Sequence, residues 1–414
     1  MYMPSGNICQ LVQMDKIGIW VESFDEGKSS AIIIKSSSSS IKSVIQGCDL
    51  KLLIGICSKD KKKYIAIGAM IYDVHDSPLL IFYPARYESS IDAVRFLMTN
   101  TEITLSFFDE LDLPVYSAKG QIDIFSESFI AGIDQNVTIP GDMEIVDSMV
   151  DSFALEIDLQ YGTSYGYKGS EQRYNCSIER RDIAISDSSP ILVNTFSEDI
   201  PKNNVSYDVS TGNEGTTQEL QLDFILNHYF DGKSFLSPQI RIGAKSRELT
   251  DILLIRSNNI YLIESKSLNI NLSGVASTLS RRAGKIKKHA NKALRQMEGV
   301  FKKIRQGYPV MENETLKDIS IPEENKLHGI ILLSNFQDYY IYDEWRDCSK
   351  KIYEISSSIN NCTLHIMDLA EFVNLLKLSH VSKVKFDESM AMRFEGFLEK
   401  GILKIEHVNS SFPF

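Results

Sequence analysis

The sequence lacks the features that define several large classes of protein. No apolar run approaches the roughly 20 residues that a membrane-spanning helix needs, and the N-terminal stretch has no basic segment followed by an apolar core, so neither a membrane anchor nor a secretory signal is predicted. The six cysteines and seven histidines are scattered, and no Cys-x-x-Cys pair occurs, which disfavours a disulfide framework and a zinc site. A cytoplasmic protein with reduced thiols is therefore expected.

Motifs of two large hydrolase classes and a cluster of tryptophans are also missing. No G-x-x-x-x-G-K-S/T loop is present, so ATP hydrolysis is not indicated, and no G-x-S-x-G motif suggests a serine hydrolase. The two tryptophans, Trp20 and Trp345, are too few and too widely separated to predict an aromatic cage, and packing in the protein is expected of both.

The overall composition is that of an ordinary globular protein with one unusual segment. A length of 414 residues suggests two or three domains, and 43% hydrophobic with 24% charged residues is typical of folded proteins. The net charge of -11 argues against nucleic-acid binding over the whole surface. The segment from Arg281 to Arg305 departs from this average, since it holds ten Lys or Arg residues and one acid, Glu298.

The first half of the chain has the pattern of a β-rich domain. Ile17, Ile19 and Val21 alternate with other residues, as they do in a strand with one buried face. A helix is predicted over residues 90–98, and a loop is predicted over Ser36–Ser40 because the serine repeat is low in complexity. Residues 147–194 show no clear pattern. Further strands are predicted at residues 51–57, 64–72, 79–83, 101–108 and 121–125.

A polar stretch, residues 197–217, separates this half from a region of different periodicity. It is rich in Ser, Asn, Gly and Thr, and we interpret it as a domain linker, with a long surface loop inside one domain as the alternative. The predicted organisation is a β-rich N-terminal domain over residues 1–196, the linker, and a C-terminal domain over residues 218–414.

The C-terminal domain alternates between helical and strand periodicity. Two apolar strands flank Ser257-Asn258-Asn259, where an asparagine with positive φ suits a tight hairpin turn. Asp368 has the position of an N-cap, with Glu371 three residues on, and opens a helix through Leu376. This alternation predicts an α/β sandwich around a mixed sheet. The other predicted helices are residues 218–228 and 278–305, and the predicted strands are residues 251–256, 260–264, 329–333, 339–342 and 363–367.

Charged side chains at the ends of the two hairpin strands carry the chemical signal. Glu264 and Lys266 point to the same face, because successive strand residues alternate. A hairpin also brings Asp251, at the start of the first strand, near Glu264, at the end of the second. Two converging carboxylates repel each other unless a cation lies between them, and Mg²⁺ takes one or two carboxylates while it keeps several waters. An exposed strand end with a surface ion pair is the alternative interpretation.

The pattern Asp251…Glu264-x-Lys266 resembles that of the PD-(D/E)xK nuclease superfamily, whose fold is the restriction-endonuclease-like α/β sandwich. The resemblance implies that Asp251 and Glu264 coordinate Mg²⁺, or alternatively Mn²⁺, with help from the backbone carbonyl of Ser265. It also implies that Lys266 orients the attacking water or stabilises charge on the phosphate. The sequence departs from the family pattern at Thr250, where proline is common.

The resemblance covers about residues 218–377 and does not extend to residues 1–200. Such domains usually begin with a helix that carries an additional acid to the metal site, and several members have a glutamine on a later helix that faces the site. Gln296 matches that glutamine loosely. The candidates for the additional acid are, in order of preference, Glu219, Asp223 and Glu248.

The basic segment is predicted to form an amphipathic helix. Four of its cations recur at three- and four-residue steps and therefore share one stripe. A solvated face, a membrane surface and a calmodulin-like partner are the alternatives, and beside a phosphodiester site we favour contact with phosphates, which positions a nucleic acid without reading its sequence. The basic stripe consists of Lys285, Lys288, Lys292 and Arg295, and the apolar side of Ile286, Ala290, Ala293, Leu294 and Met297.

The expected function is that of a metal-dependent endonuclease that hydrolyses phosphodiester bonds, with DNA favoured over RNA and no membrane partner. By analogy, the organisation is similar to that of prokaryotic antiviral-defence or restriction-type effectors, in which an accessory domain senses a ligand, recognises a target or mediates assembly with a partner protein or a second copy. The rival hypothesis is a catalytically degenerate nuclease fold that binds nucleic acid or a protein partner without cutting.

Overall fold

The computed structural model divides the chain into two compact units, Met1–Thr211 with Ile270–Leu279 and Gly212–Asn269 with Ser280–Phe414. Among the described helices, none combines the length and the apolar composition that crossing a bilayer requires. Residues 197–213 of the predicted linker lie outside the described residues. The structure describes residues 4–25, 29–59, 61–74, 77–99, 102–122, 129–131, 137–161, 177–183, 185–192, 214–266, 278–333, 336, 342–381 and 385–403.

The first unit contains two sheets. Its described elements are α1 (Gly6–Met14), β1 (Gly18–Phe24), β2 (Ser29–Lys35), α2 (Ser38–Ile45), β3 (Leu50–Lys59), β4 (Lys62–Ile71), β5 (Leu79–Pro84), α3 (Glu88–Thr99), β6 (Glu102–Phe108), β7 (Pro114–Ile122), α4 (Met143–Tyr161), β8 (Ser177–Ile183) and β9 (Ile185–Leu192). One sheet has the order β1-β2-β6-β7-β9, in which β2 and β6 are parallel, and the other is the antiparallel sheet β5-β4-β3-β8.

Aromatic side chains fill the core of the first unit. Trp20 of β1 and Tyr83 of β5 bring the two sheets together, with ring centroids 5.8 Å apart. Helix α4 covers the second sheet, where Phe153 packs over Gly68 so closely that a Cβ atom on that glycine would lie 3.1 Å from the ring. The fully buried Leu53 and Met70 complete this cluster, so the burial of apolar side chains from both sheets holds the unit together.

The β-rich character predicted for the first half is confirmed, but one local prediction is wrong. The predicted loop over Ser36–Ser40 runs into helix α2, for which Ser37 is the N-cap and accepts the N–H of Ser40 with its side chain. Serine favours this position because its hydroxyl satisfies a backbone donor that the helix leaves unpaired. The strand predicted at residues 121–125 is confirmed at residues 121 and 122, which end β7; this strand begins at a proline, a residue tolerated at the first position of a strand. Residues 123–125 lie outside the described residues.

The second unit is built on a mixed five-stranded sheet. Its described elements are α5 (Glu214–Tyr229), β10 (Lys233–Leu236), β11 (Gln239–Ile242), β12 (Lys245–Glu248), β13 (Ile252–Arg256), β14 (Asn259–Lys266), α6 (Leu279–Arg305), β15 (Val310–Met311), β16 (Lys326–Leu333), α7 (Tyr342–Ser358), β17 (Cys362–Met367), α8 (Leu369–Val381) and α9 (Phe386–Lys400). The sheet has the order β10-β13-β14-β16-β17, antiparallel as far as β14 and parallel beyond it. A second, smaller sheet in this unit has the strand order β12-β11-β15. The predicted mixed sheet is thus confirmed.

Helix α6 runs antiparallel to β16 on one face of this sheet. At the C-terminal end of the helix, Arg305 donates a hydrogen bond of 2.6 Å to Asn325 Oδ1, and Asn325 immediately precedes the strand. About two turns earlier in the helix, Met297 packs on Gly329, where an added Cβ atom would lie 2.7 Å from Met297 Cγ. The N-terminal half of α6 therefore extends toward the carboxyl end of β16.

Helix α9 covers the opposite face of the sheet. Tyr261 stacks on His328 with ring centroids 4.7 Å apart and lies 5.1 Å from the ring of Phe386, the first residue of α9. Neighbouring strand residues point to opposite faces, so Tyr261 is on the face covered by α9 and Leu262 is on the face covered by α6. Helices therefore lie on both faces of the mixed sheet, with the apolar strands between them.

Most helices and strands predicted in this unit are confirmed, and the N-cap at Asp368 is confirmed by its Oδ1, which accepts the N–H of Glu371 at 2.8 Å. The helix predicted from residue 218 begins at Glu214, so the last residues of the predicted linker are helical. At the hairpin turn the positive φ, 51°, belongs to Ser257 and not to an asparagine.

The strand predicted at residues 339–342 is wrong at its one described residue, Tyr342, which begins helix α7. Residues 339–341 lie outside the described residues. The helix has its own signal, since Trp345, Cys348, Ile352 and Ile355 recur at helical spacing and are buried.

Candidate active site

The hairpin of β13 and β14 brings Asp251 and Glu264 together at one end of the sheet. Asp251 immediately precedes β13, and its Oδ2 accepts the backbone N–H of Ser265 at 2.6 Å. The strand register pairs Ile252 with Ile263, so the next positions outward are Asp251 and Glu264. Because a strand residue directs its N–H and its C=O to the same side, the carbonyl of Ser265 is also directed toward Asp251.

Lys266 lies between the two carboxylates. Its Nζ is 2.6 Å from Glu264 Oε1 and 3.9 Å from Asp251 Oδ2. Glu264 is 4% exposed, and the side chains of Lys266 and Asp251 are 19% and 22% exposed. This is therefore not the exposed strand end of the alternative interpretation. The ammonium occupies the place between two acids at which a cation is expected, and this group of three residues is called the carboxylate centre below.

The electrostatics of the carboxylate centre disfavour the negative charge on Glu264. Burial raises the pKa of Glu264, and repulsion from Asp251 raises it further. The charge and the hydrogen bond of Lys266 act in the opposite direction, but the pKa remains above its ordinary value. A carboxylate in this condition gains more from a divalent cation than an exposed carboxylate does, since the cation offsets both burial and repulsion.

Thr250 fastens the start of β13 to β14. Its side chain is buried, and its hydroxyl donates to the carbonyl of Ile263 at 2.6 Å while lying 3.5 Å from Glu264 Oε2. Proline could not make this bond. The departure from the family pattern at this position is therefore accompanied by a specific contact that holds the neighbouring Asp251 against β14.

Two of the three candidate additional acids lie within electrostatic reach of the carboxylate centre. Burial raises the pKa of Glu219 on α5, and the charges of Asp251 and Glu248 raise it further. Glu248 likewise raises the pKa of Glu264. Asp223 differs, because its pKa responds to burial and to one neighbour outside the carboxylate centre. Burial raises the pKa, and a hydrogen bond of 3.2 Å from the Asn227 amide lowers it. These electrostatic contributions favour Glu219, followed by Glu248, over Asp223.

The basic stripe of α6 is exposed, and the apolar side of the helix is buried as expected. Between them lies His289, a half-buried residue that sequence analysis did not select. Burial lowers the pKa of His289, and the charges of Lys266, Lys292 and Lys288 lower it further. His289 therefore lies near both the carboxylate centre and the stripe. A signal for it exists in the sequence, since it stands at the border between the apolar and basic sides of the helix.

Gln296 lies on the same edge of α6 as His289, about two turns or roughly 10 Å nearer the C-terminal end. Its side chain is exposed. Because α6 runs antiparallel to β16, this displacement leads away from the carboxyl end of the sheet, where Lys266 lies. A role for Gln296 in facing the site stays a prediction.

The donors of the carboxylate centre fit a hard divalent cation. Asp251 and Glu264 supply carboxylate oxygens, the ligands that Mg²⁺ and Mn²⁺ prefer, and Asp251 Oδ1 accepts no hydrogen bond from the described residues. Within the described ranges, no set of three or more His, Cys, Asp and Glu side chains is close enough to hold a metal ion. Two carboxylates with a backbone carbonyl and water are the arrangement that this chain offers.

Comparison of the chain with protein-family models, with curated proteins and with solved structures gave no match. The geometry of the site is therefore the basis on which a function is inferred.

Proposed function

We propose that the second unit is a divalent-metal-dependent nuclease that hydrolyses phosphodiester bonds, with DNA as its substrate. The observation that carries the proposal is the meeting of Asp251 and Glu264, from adjacent strands, around a lysine ammonium 2.6 Å from one and 3.9 Å from the other. An acid pair with a lysine at the carboxyl end of a mixed sheet is the arrangement that the PD-(D/E)xK resemblance implies.

The proposed fold of the second unit is the restriction-endonuclease-like sandwich. In support, an antiparallel hairpin leads into parallel strands, a helix with an acid precedes the hairpin, and a long helix follows it. Asp251 and Glu264 would hold Mg²⁺ or Mn²⁺, with the Ser265 carbonyl and Glu219 as the next candidates. A bound divalent ion supplies Lewis-acid polarisation of the phosphate and makes a nearby water more acidic.

Lys266 has a separate task in this mechanism. If Asp251 and Glu264 held a divalent ion, the Lys266 ammonium would be free to donate a hydrogen bond to a phosphate oxygen, where negative charge grows in the transition state. The basic stripe contributes sequence-independent attraction for the phosphates on either side of the reacting bond. Glu264, Asp251 and Lys266 thus act on the reacting phosphate, and α6 holds the rest of the strand.

The test is cleavage of supercoiled plasmid, single-stranded DNA and RNA by the full-length protein with Mg²⁺, Mn²⁺ or EDTA. Asp251→Asn and Lys266→Gln are expected to lower the rate by about 100-fold or more, because each removes a group that acts on the transition state. The matched controls are Asp231→Asn and Lys233→Gln, exposed residues near the opposite end of the hairpin.

Metal-dependent cutting that survives in the two controls and is lost in the two site variants supports the proposal. Wild-type rates in Lys266→Gln contradict the mechanism. Salt-sensitive binding without cutting under every metal condition replaces the nuclease with the rival hypothesis, a module that binds nucleic acid.

A further inference from the structure

The packing of α6 on β16 determines where His289 lies. Met297 packs on Gly329, and helix and strand run in opposite directions from that point. Two helical turns back along α6, about 12 Å, lead from Met297 to His289. Four strand residues forward along β16, roughly 13 Å, lead from Gly329 to Leu333, whose partner in the parallel register is Lys266.

The carboxylate centre is on the face of the sheet that α6 covers. Gly329, under the helix, pairs with Leu262 of β14, and Leu262, Glu264 and Lys266 share one face because strand residues alternate. The lowered pKa of His289 agrees with this position, since after burial the largest contribution is the charge of Lys266. Register and electrostatics therefore agree on the same neighbour.

His289 has the chemistry of a neutral donor in a cationic setting. The positive charges of Lys266, Lys288 and Lys292 act on it, and an imidazole held neutral keeps one N–H for donation. No described residue accepts a hydrogen bond from its ring. A phosphate oxygen is an acceptor with negative charge, which these ammonium groups attract and the imidazole can bind.

We propose that His289 is a substrate-binding residue, which donates a hydrogen bond to a non-bridging oxygen of the phosphate held at Asp251, Glu264 and Lys266. The inference rests on the proposed function and adds to it the path of the substrate. The nucleic acid follows the basic stripe, passes His289 and reaches the carboxylate centre.

The experiment compares His289→Leu, which keeps bulk without a donor, with His289→Gln, which restores an N–H. The control is His380→Leu, an exposed histidine on α8 whose ring packs edge-on against Tyr229 at 5.6 Å. The readouts are the affinity for a short fluorescein-labelled DNA duplex in Ca²⁺, the ratio kcat/KM for plasmid cleavage in Mg²⁺, and the thermal unfolding temperature.

His289→Leu is expected to lower affinity and kcat/KM by about 10-fold or more, as the loss of a hydrogen bond to a charged group does, with an unchanged unfolding temperature. His289→Gln is expected to recover most of that loss. If wild-type protein cuts DNA and His289→Leu binds and cuts equally well, the inference about His289 is overturned while the nuclease remains. If Gln does not recover the loss, hydrogen-bond donation by His289 is overturned; if the unfolding temperature falls with the affinity, the residue is structural and the inference is overturned as well. If wild-type protein does not cut, the proposed function fails, and this inference fails with it.

Discussion

The free energy of unfolding of the second unit should depend on pH through His328. This residue is buried in the middle of β16, with Nδ1 2.8 Å from Thr363 Oγ1 and Nε2 3.1 Å from Asn259 Oδ1. Burial lowers its pKa from 6.5 to about 4; the charge of Asp387 acts in the opposite direction, and the charge of Lys326 lowers the pKa further. The folded protein therefore holds His328 neutral at pH values at which the unfolded chain protonates it.

The size and sign of the effect follow from these two pKa values. Between pH 6.5 and about pH 4 the unfolded state binds one proton more than the folded state at His328, so stability falls as the pH falls. The stabilisation is complete above pH 6.5 and is lost by about pH 4. At roughly 1.4 kcal/mol per pH unit, the loss over this range amounts to about 3 kcal/mol.

A single tryptophan can report on this unit alone. Trp20 lies in the first unit and Trp345 is fully buried in α7 of the second, so a Trp20→Phe background leaves Trp345 fluorescence as the probe of urea unfolding. The free energy of unfolding is measured across the pH range with His328 and with His328→Asn. Carboxylates with raised pKa, such as Glu264, titrate with the opposite sign in both proteins and cancel in the difference.

The expected result is a shallower pH dependence in His328→Asn, by up to about 3 kcal/mol over the range. The absolute stability of the variant is not at issue, since any change in a buried hydrogen-bonded residue lowers it. Parallel curves for the two proteins would refute the reasoning, because they would mean that His328 keeps an ordinary pKa in the folded state.

Three further predictions concern the site and the helix beside it. Glu264→Gln should raise the free energy of unfolding in EDTA at neutral pH, measured with urea, because the buried carboxylate is held ionised against a raised pKa; a less stable variant contradicts this. Lys266→Gln should bind Mg²⁺ more tightly by calorimetry, since its ammonium competes for the same carboxylate; weaker binding rejects that competition. Gly329→Ala should lower the free energy of unfolding by about 1–3 kcal/mol, because the added methyl group meets Met297. Gly299→Ala, with open space around it, should instead stabilise α6 by about 1 kcal/mol. Equal effects of the two substitutions on thermal unfolding would contradict the packing of α6 on the sheet.

Short-range sequence patterns were sufficient to predict the elements that carry the candidate site. The hairpin is recognisable because two apolar strands flank a short polar turn, and α6 because its apolar and basic sides alternate over 27 residues. The N-cap at Asp368 is a contact between near neighbours in the chain. Each of these signals depends on residues that lie close in sequence, and local sterics and burial act on them directly.

Other elements were not predicted from the sequence. The serine tract carries no apolar pattern, and its helix depends on the hydroxyl of Ser37 as an N-cap. The four-residue strands β10, β11 and β12 are too short to show a period. β10 and β11 pair with β13 and β15, which lie further along the chain, and β12 pairs with the neighbouring β11. Helix α7 has apolar residues at helical spacing, but the run of large apolar residues at 339–342, where the helix begins, favoured a strand instead.

The sequence by itself determined that an acid opens one strand, that an acid and a lysine close the next, and that a cationic helix follows. Alternation along a strand and periodicity along a helix are properties of the local backbone, so they can be recognised from the order of the residues. Only the tertiary structure decided that the Lys266 ammonium lies between Asp251 and Glu264 and that His289 comes near it. Those relations depend on the strand register and on how closely α6 approaches the sheet at Gly329, which are set by packing between segments remote in the chain.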